Sequence, residues 1–312
     1  MTAPVRMAVL LRTFAAEDPG TWSHLVDLAV AADEAGVDRL VLSDHVAMGE
    51  ELDAYGDPRR GGVTGGRQPT GPDGHWLEPL TVIAHLSAVT RRVRFGTSIL
   101  LAALRRPVVL AKTVATIDVL SGGRLDLGVG VGWQRQEYEA AGLDFDARGR
   151  LLDQTLEVCL TLWREQAATY EGDGLSFHRV HQMPKPRQSG GVPVWVSGTV
   201  NPRSMRRLAR FGSGWIPWGS DAADLAGAIG RMRAAVASEG RDPADLSVAG
   251  NLAPVRAAGG GLDLGATLAQ VPALRDAGVT DLTVPLSVPA DPGAAGEHLR
   301  GVVAAFREAA AR

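Results

Sequence analysis

The feature that most constrains the fold is a helix that ends on glycine and runs directly into a β-branched strand. It occurs twice, as EAGVDRLVLSD at Glu34–Asp44 and as DAGVTDLTVPL at Asp276–Leu286. In each, the glycine can take the left-handed conformation that closes a helix, and a strand follows at once. A looser third copy, LARFGSGWIPWG at Leu208–Gly219, puts Gly212 at the helix end and Gly214–Trp218 in the strand. Recurring helix-to-strand units imply a parallel sheet, because parallel strands need a crossover to return to the same edge.

Extended along the chain, the pattern predicts eight strands, near Arg6–Leu11, Arg39–Ser43, Val93–Leu100, Arg124–Gly130, Val194–Ser197, Gly214–Trp218, Leu246–Leu252 and Asp281–Pro285. Helical periodicity lies between them, as at Trp22–Ala35 and at Pro107–Leu120, where proline occupies the favoured first turn. Eight β/α units close more readily into a (β/α)₈ TIM barrel than into an open sheet, and 312 residues suit one such domain of about 250 residues plus insertions. Two segments exceed a minimal barrel. Val46–His75, polar and glycine-rich, follows the second strand and reads as an active-site lid. Ala168–Val192, with Gly172-Asp173-Gly174 and the prolines Pro184 and Pro186, reads as a hairpin excursion before the fifth strand. No low-complexity linker divides the chain, so residues 1–312 are expected to form a single domain.

Net charge is −3 with acids and arginines interspersed, which offers no basic face to nucleic acid. No apolar run approaches the roughly 20 residues of a membrane helix, and the N-terminal apolar stretch is cut short by Arg12, so a cytoplasmic chain is expected. The single cysteine, Cys159, lies at helical spacing with Leu152, Leu156 and Trp163 and reads as core. HExxH, GxSxG and GxxxxGK[ST] are absent, and the only lysines are Lys112 and Lys185, which leaves zinc, serine and Schiff-base chemistry with little to work with. His178 and His181 would point to opposite faces of a hairpin strand, so no metal site is expected. Gly128-Val129-Gly130-Val131-Gly132-Trp133 lacks the third glycine of a dinucleotide fingerprint; what remains is a strand end of small residues that lets a flat ring or a chain of phosphates approach the backbone around Val131.

The stretch Phe95–Arg150 contains GTSIL, RRPVVLAKTVATIDVLSGGR, GVGVGW and a helix opening at Arg148. It resembles the bacterial luciferase-like oxidoreductase superfamily, in particular the branch that uses the deazaflavin coenzyme F-420. Ser43-Asp44-His45 and Val192–Gly219 extend the likeness over most of the chain, with weakening after about Leu246. The resemblance implies a single barrel that usually dimerises and holds its cofactor across the C-terminal rim.

Carried over residue by residue, Asp44 and His45 match the acid-histidine pair that ends the second strand. There the histidine faces the reactive part of the deazaflavin or its substrate and can shuttle the proton that accompanies hydride transfer. Ser98-Ile99 matches a non-proline cis peptide behind the ring. Ser197-Gly198-Thr199 precedes a helix whose unpaired N–H groups would favour an anionic tail, although Asn201 before Pro202 also makes a good cap. Gln136 matches a side chain toward the ribityl or phosphate region. Two departures weigh against a sugar-phosphate substrate: Met48-Gly49 and Trp133 stand where those relatives carry a tryptophan and an acid. Trp76, Trp133, Trp215 and Trp218 would form an aromatic wall if they reach the rim.

These readings imply hydride transfer between coenzyme F-420 and a small-molecule substrate. The alternative within the superfamily is an FMN-dependent monooxygenase supplied with reduced flavin by a separate reductase. A non-catalytic cofactor-binding barrel is the reading from another class, against which stand the acid-histidine pair and the long lid.

Overall fold

All eight expected strands form in the computed structural model, which describes residues 4–312. They are β1 Arg6–Leu10, β2 Arg39–Leu42, β3 Arg94–Thr97, β4 Leu125–Val129, β5 Val194–Gly198, β6 Gly214–Pro217, β7 Ser247–Asn251 and β8 Asp281–Thr283. Each pairs in parallel with its neighbours in sequence, and β8 closes on β1 with Arg6 opposite Asp281 and Ala8 opposite Thr283. The chain is therefore a closed (β/α)₈ barrel.

The helices that position the site are α1 His24–Ala35, α2 Pro79–Ser87, α3 Pro107–Leu120, α4 Arg135–Ala140, α5 Arg148–Arg164 and α6 Pro202–Phe211. Gly36 and Gly278 take the left-handed cap expected of them, at φ 85° and 105°. Gly212 does not: α6 ends there on extended backbone at φ −78°, ψ 140°. Helix α1 begins at His24 because Trp22 and Ser23 form a tighter turn, their carbonyls accepting from Leu25 and Val26. Cys159 is buried on α5, and burial pushes its thiol far above the ordinary range, as suits a core residue.

The lower half of the barrel interior holds charge. Arg39, 5% exposed, lies between Asp126 at 2.8 Å and Asp281 at 2.7 Å, with its guanidinium stacked 4.6 Å from the Trp195 ring centre. Arg6 and Arg94, at the N-terminal ends of β1 and β3, reach Asp281 and Asp126 respectively. Small residues on adjacent strands, among them Ala8, Gly96 and Gly128, leave little above this cluster, so the interior stays open toward the C-terminal mouth.

At the opposite end, Asp33 accepts hydrogen bonds from the backbone N–H groups of Arg91, Arg92 and Val93 and so fixes the start of β3. Burial alone would raise its carboxyl, but the three donors overcome that and hold it below the ordinary carboxylate range. A depressed folded-state value contributes stability that is present above the ordinary carboxylate range and is lost as pH falls through the folded value. Asp33→Ala is therefore expected to lower unfolding free energy by about 2 kcal/mol near neutral pH. Urea titrations of both proteins should show the difference shrinking in acid.

The excursion before β5 is a hairpin of Ala168–Gly172 and Leu175–Val180, followed by a cis Met183-Pro184 bond. Among the described residues no group of three His, Cys, Asp or Glu side chains could hold a metal ion, and no helix is long and apolar enough to cross a membrane.

Candidate active site

Strand alternation sets the rim. At the end of β2, Asp44 and His45 are consecutive and so diverge. The Asp44 carboxylate borders the mouth but is engaged by the Arg105 guanidinium at 2.7 and 3.1 Å and by the Leu101 N–H at 2.8 Å. Arg105 also reaches Glu78, the N-cap of α2, at 2.7 Å. Asp44 thus locks the β2 end to the segment after β3, while His45 turns its ring into the cavity.

The partner of His45 was not legible in the sequence. Glu137 on α4, 2% exposed, accepts from the backbone N–H of Val46 at 2.6 Å and of Ala47 at 3.3 Å, and its carboxylate lies 3.3 Å from His45 Nδ1. This orients the imidazole so that Nε2 is the nitrogen left for the cavity. Three residues earlier, Gln134 brackets the lid by accepting from Gly49 N–H and donating to the Gly49 carbonyl. A carboxylate at this place fixes the orientation of the ring, so Glu137→Gln is expected to lower kcat about tenfold with little change in KM. Steady-state kinetics, with a folded protein confirmed by circular dichroism, measures this split.

The mouth is a cavity of ≈ 340 Å³, within the range of small-molecule sites of about 300–1,000 Å³. Its floor is made by Ser98, Ile99, Gly130, Val131, Ser197 and Gly198. The Ser98-Ile99 peptide bond is cis, as the resemblance implied. A Cβ on Gly130 would stand 3.0 Å from Ile99 Cδ1, so only glycine keeps this floor flat. Tyr138, fully buried, donates its hydroxyl to the Val131 carbonyl at 2.7 Å and anchors the glycine-rich turn from behind. A flat tricyclic ring system fits this shelf of apolar side chain and bare backbone.

The other expected cofactor positions fall differently. Gln136 lies outside the cavity, packed on Gly49, with its Oε1 buried and unpartnered. Thr199 accepts from Asn201 Nδ2 through its hydroxyl and does not line the cavity. The α6 N-terminus is not the open donor set expected, because Asn201 Oδ1 already takes the N–H groups of Arg203 and Ser204, and Asp221 takes that of Val200. The capping role of Asn201 accounts for the motif there. Neither lysine lines the cavity; Lys112 donates to the Met183 carbonyl and Lys185 to the Leu162 and Glu165 carbonyls.

The Val46–His75 segment folds over the mouth. Its two 3₁₀ turns, Leu52–Gly56 and Pro58–Arg60, bring Tyr55 and Gly61 to the cavity, and His75-Trp76 pair antiparallel with Phe14-Ala15. The Trp218 indole donates to the Gly61 carbonyl and the Trp76 indole to Thr70, both at 3.0 Å. Trp215 does not join the wall. On β6 it alternates with Ile216 and points outward, fully buried, donating to the Gly198 carbonyl.

The C-terminal mouth of the closed β/α barrel is thus a covered cavity with a histidine, a flat glycine floor and a stitched lid. The chain belongs to the luciferase-like monooxygenase family, whose sequence model matches residues 5–258. It is 34% identical over 179 residues to an uncharacterized protein of Mycobacterium tuberculosis, covering 57% of this chain and 63% of that one. It is 31% identical over 205 residues to the F-420-dependent glucose-6-phosphate dehydrogenase of Kineococcus radiotolerans, covering 64% of this chain and 54% of that protein. The chain thus spans less than two thirds of the length of both relatives. In fold it resembles an F-420-dependent secondary alcohol dehydrogenase solved with an F-420-acetone adduct, at TM-score 0.74 and 16% identity over 97% of this chain and 99% of that one. It also resembles the FMN-bound oxygenating component of a Pseudomonas putida diketocamphane monooxygenase, at TM-score 0.68 and 16% identity over 96% of each chain.

Proposed function

We propose that the protein transfers a hydride between coenzyme F-420 and a small organic substrate at the mouth of the barrel. The observation that carries this reading is the placement of His45, backed by buried Glu137 and turned toward the flat shelf of Ile99, Gly130 and Val131. When bound, the deazaflavin supplies a two-electron donor or acceptor for hydride. Ile99 and Val131 would flank its ring, and Ser98, Ser197 and Gly198 would line its edge.

What this chain supplies is the proton and the enclosure. As an alcohol is oxidised, His45 Nε2 takes the hydroxyl proton, and Glu137 stabilises the imidazolium; in the reducing direction the same proton returns to the carbonyl oxygen. Asp44 and Arg105 hold the β2 end that carries His45, and the lid excludes water. A purely structural barrel has no use for an acid-backed histidine facing a covered cavity.

The FMN-bound monooxygenase neighbour supports a second reading, in which reduced FMN from a separate reductase activates oxygen on the same shelf. Assays of the purified protein with an alcohol and ketone panel separate the two. Substrate-dependent loss or gain of oxidised F-420 without oxygen supports hydride transfer, and oxygen uptake that requires reduced FMN replaces it with the monooxygenase. In this reading the working unit is a homodimer, supported by the exposed apolar residues Val109, Val119 and Leu120 on α3 and tested by gel filtration.

A further inference from the structure

Six rings follow one another round the mouth in unbroken contact. Phe14 stacks on Trp76 at 4.4 Å, Trp76 meets His45 edge-on at 4.7 Å, and His45 meets Trp133 at 5.9 Å. The arc continues from Trp133 to Tyr55 at 5.4 Å and from Tyr55 to Trp218 at 6.1 Å. All six line the cavity, and His45 stands in the middle of the series. The only indole donors of Trp76 and Trp218 are spent on Thr70 and Gly61, so these two rings offer the cavity carbon surface alone.

The charge inventory of the same cavity is equally restrictive. Among the described residues no lysine, arginine or glutamate side chain lines it, and the one carboxylate that does, Asp44, is neutralised by Arg105. The polar lining is uncharged: Ser43, Gln68, Ser98, Ser197 and Asn251. Nearby Glu137 adds negative charge behind His45. An anionic group held against the Tyr55–Trp133–Trp218 side would be desolvated with no lysine or arginine among the lining residues to receive it, whereas a flat apolar body would meet aromatic faces and edges there; the charged tail of a bound deazaflavin would have to extend out of the cavity.

We propose that the substrate of this site is an uncharged molecule with an apolar, preferably aromatic, body that bears a hydroxyl or carbonyl group, and that phosphorylated and carboxylated compounds are excluded. The body lies along the Tyr55–Trp133–Trp218 side of the arc and the oxygen faces His45. The inference rests on the reading of the mouth as a hydride-transfer site, but it concerns the wall of the cavity and can be tested by binding.

Calorimetric titration of the F-420-loaded protein with acetophenone and with 4-acetylbenzoate, which differ by one carboxylate, decides the matter. Acetophenone is expected to bind at least about 50-fold more tightly. Tyr55→Ala should weaken acetophenone by about tenfold through loss of ring contact, and Gln68→Arg should raise 4-acetylbenzoate affinity by about tenfold through the added cation. Equal or tighter binding of the carboxylate, or no saturable binding of acetophenone, overturns the proposal. A titration with F-420 itself, beside the two ketone titrations repeated without cofactor, separates the two claims: if F-420 fails to bind while acetophenone binds and 4-acetylbenzoate does not, the cofactor reading falls and the substrate class stands.

Discussion

Replacing His45 with alanine is expected to cut turnover by about 10²–10⁴-fold while cofactor affinity changes by less than about threefold. The split follows from where the ring sits. His45 is at the end of β2, in edge contact with Trp76 and Trp133, with one nitrogen turned to the buried Glu137 carboxylate and the other to the cavity. The shelf of Ile99, Gly130 and Val131 is built by other strands and keeps its shape without the imidazole. Proton transfer is therefore lost and the cofactor floor is kept. Single-turnover rates and cofactor binding measured on the same preparation test both halves, and unchanged turnover would remove the catalytic role.

The second large effect is on the fold. Asp281 is 2% exposed and accepts from Arg6, Arg39 and Thr280 Oγ1, each at 2.7 Å. Its removal leaves the Arg39 guanidinium buried with Asp126 as its one carboxylate among the described residues. Breaking a buried charge cluster from one side costs about 3–5 kcal/mol, so Asp281→Ala is expected to lower Tm by on the order of 10 °C. Replacing Arg39, Asp126 and Asp281 together with apolar residues should cost less than the single change, because no charge is then stranded. Calorimetry of the two proteins gives the comparison, and a single variant as stable as the parent would contradict the account of the barrel floor.

The barrel itself was legible because its signal is local. EAGVDRLVLSD and DAGVTDLTVPL announce a capped helix and the strand beyond it, and the helix opening at Arg148 begins where the sequence puts it. Boundaries slipped by one to three residues, as at the Trp22-Ser23 turn before α1 and at β3, which ends at Thr97 and not at Leu100. The mouth was only half legible. His45, the Ser98-Ile99 bond and the glycine-rich turn lie at strand ends, where position alone brings them to the rim.

Glu137 and Gln134 were missed because single polar residues on a short helix and just before it read as a solvated face; their burial depends on the loop after β2, distant in sequence. The Arg39, Asp126 and Asp281 cluster was missed for a related reason. Each strand contributes one charge, and only the register of a closed barrel brings the three together. Asp44 and Gln136 were read from the family pattern as cofactor-facing, whereas one carboxylate is committed to Arg105 and the other side chain rests on Gly49. Sequence alone cannot say which way a rim side chain turns when a partner from another loop competes for it.

The central claim is that the shelf of Ile99, Gly130 and Val131 takes a deazaflavin. Fluorescence titration of the purified protein with coenzyme F-420 and, separately, with FMN tests it most directly. Saturable one-to-one binding of F-420 at least about tenfold tighter than FMN is expected, weakened by a side chain that fills the floor in Gly130→Val. Saturable FMN binding with no response to F-420 would contradict it.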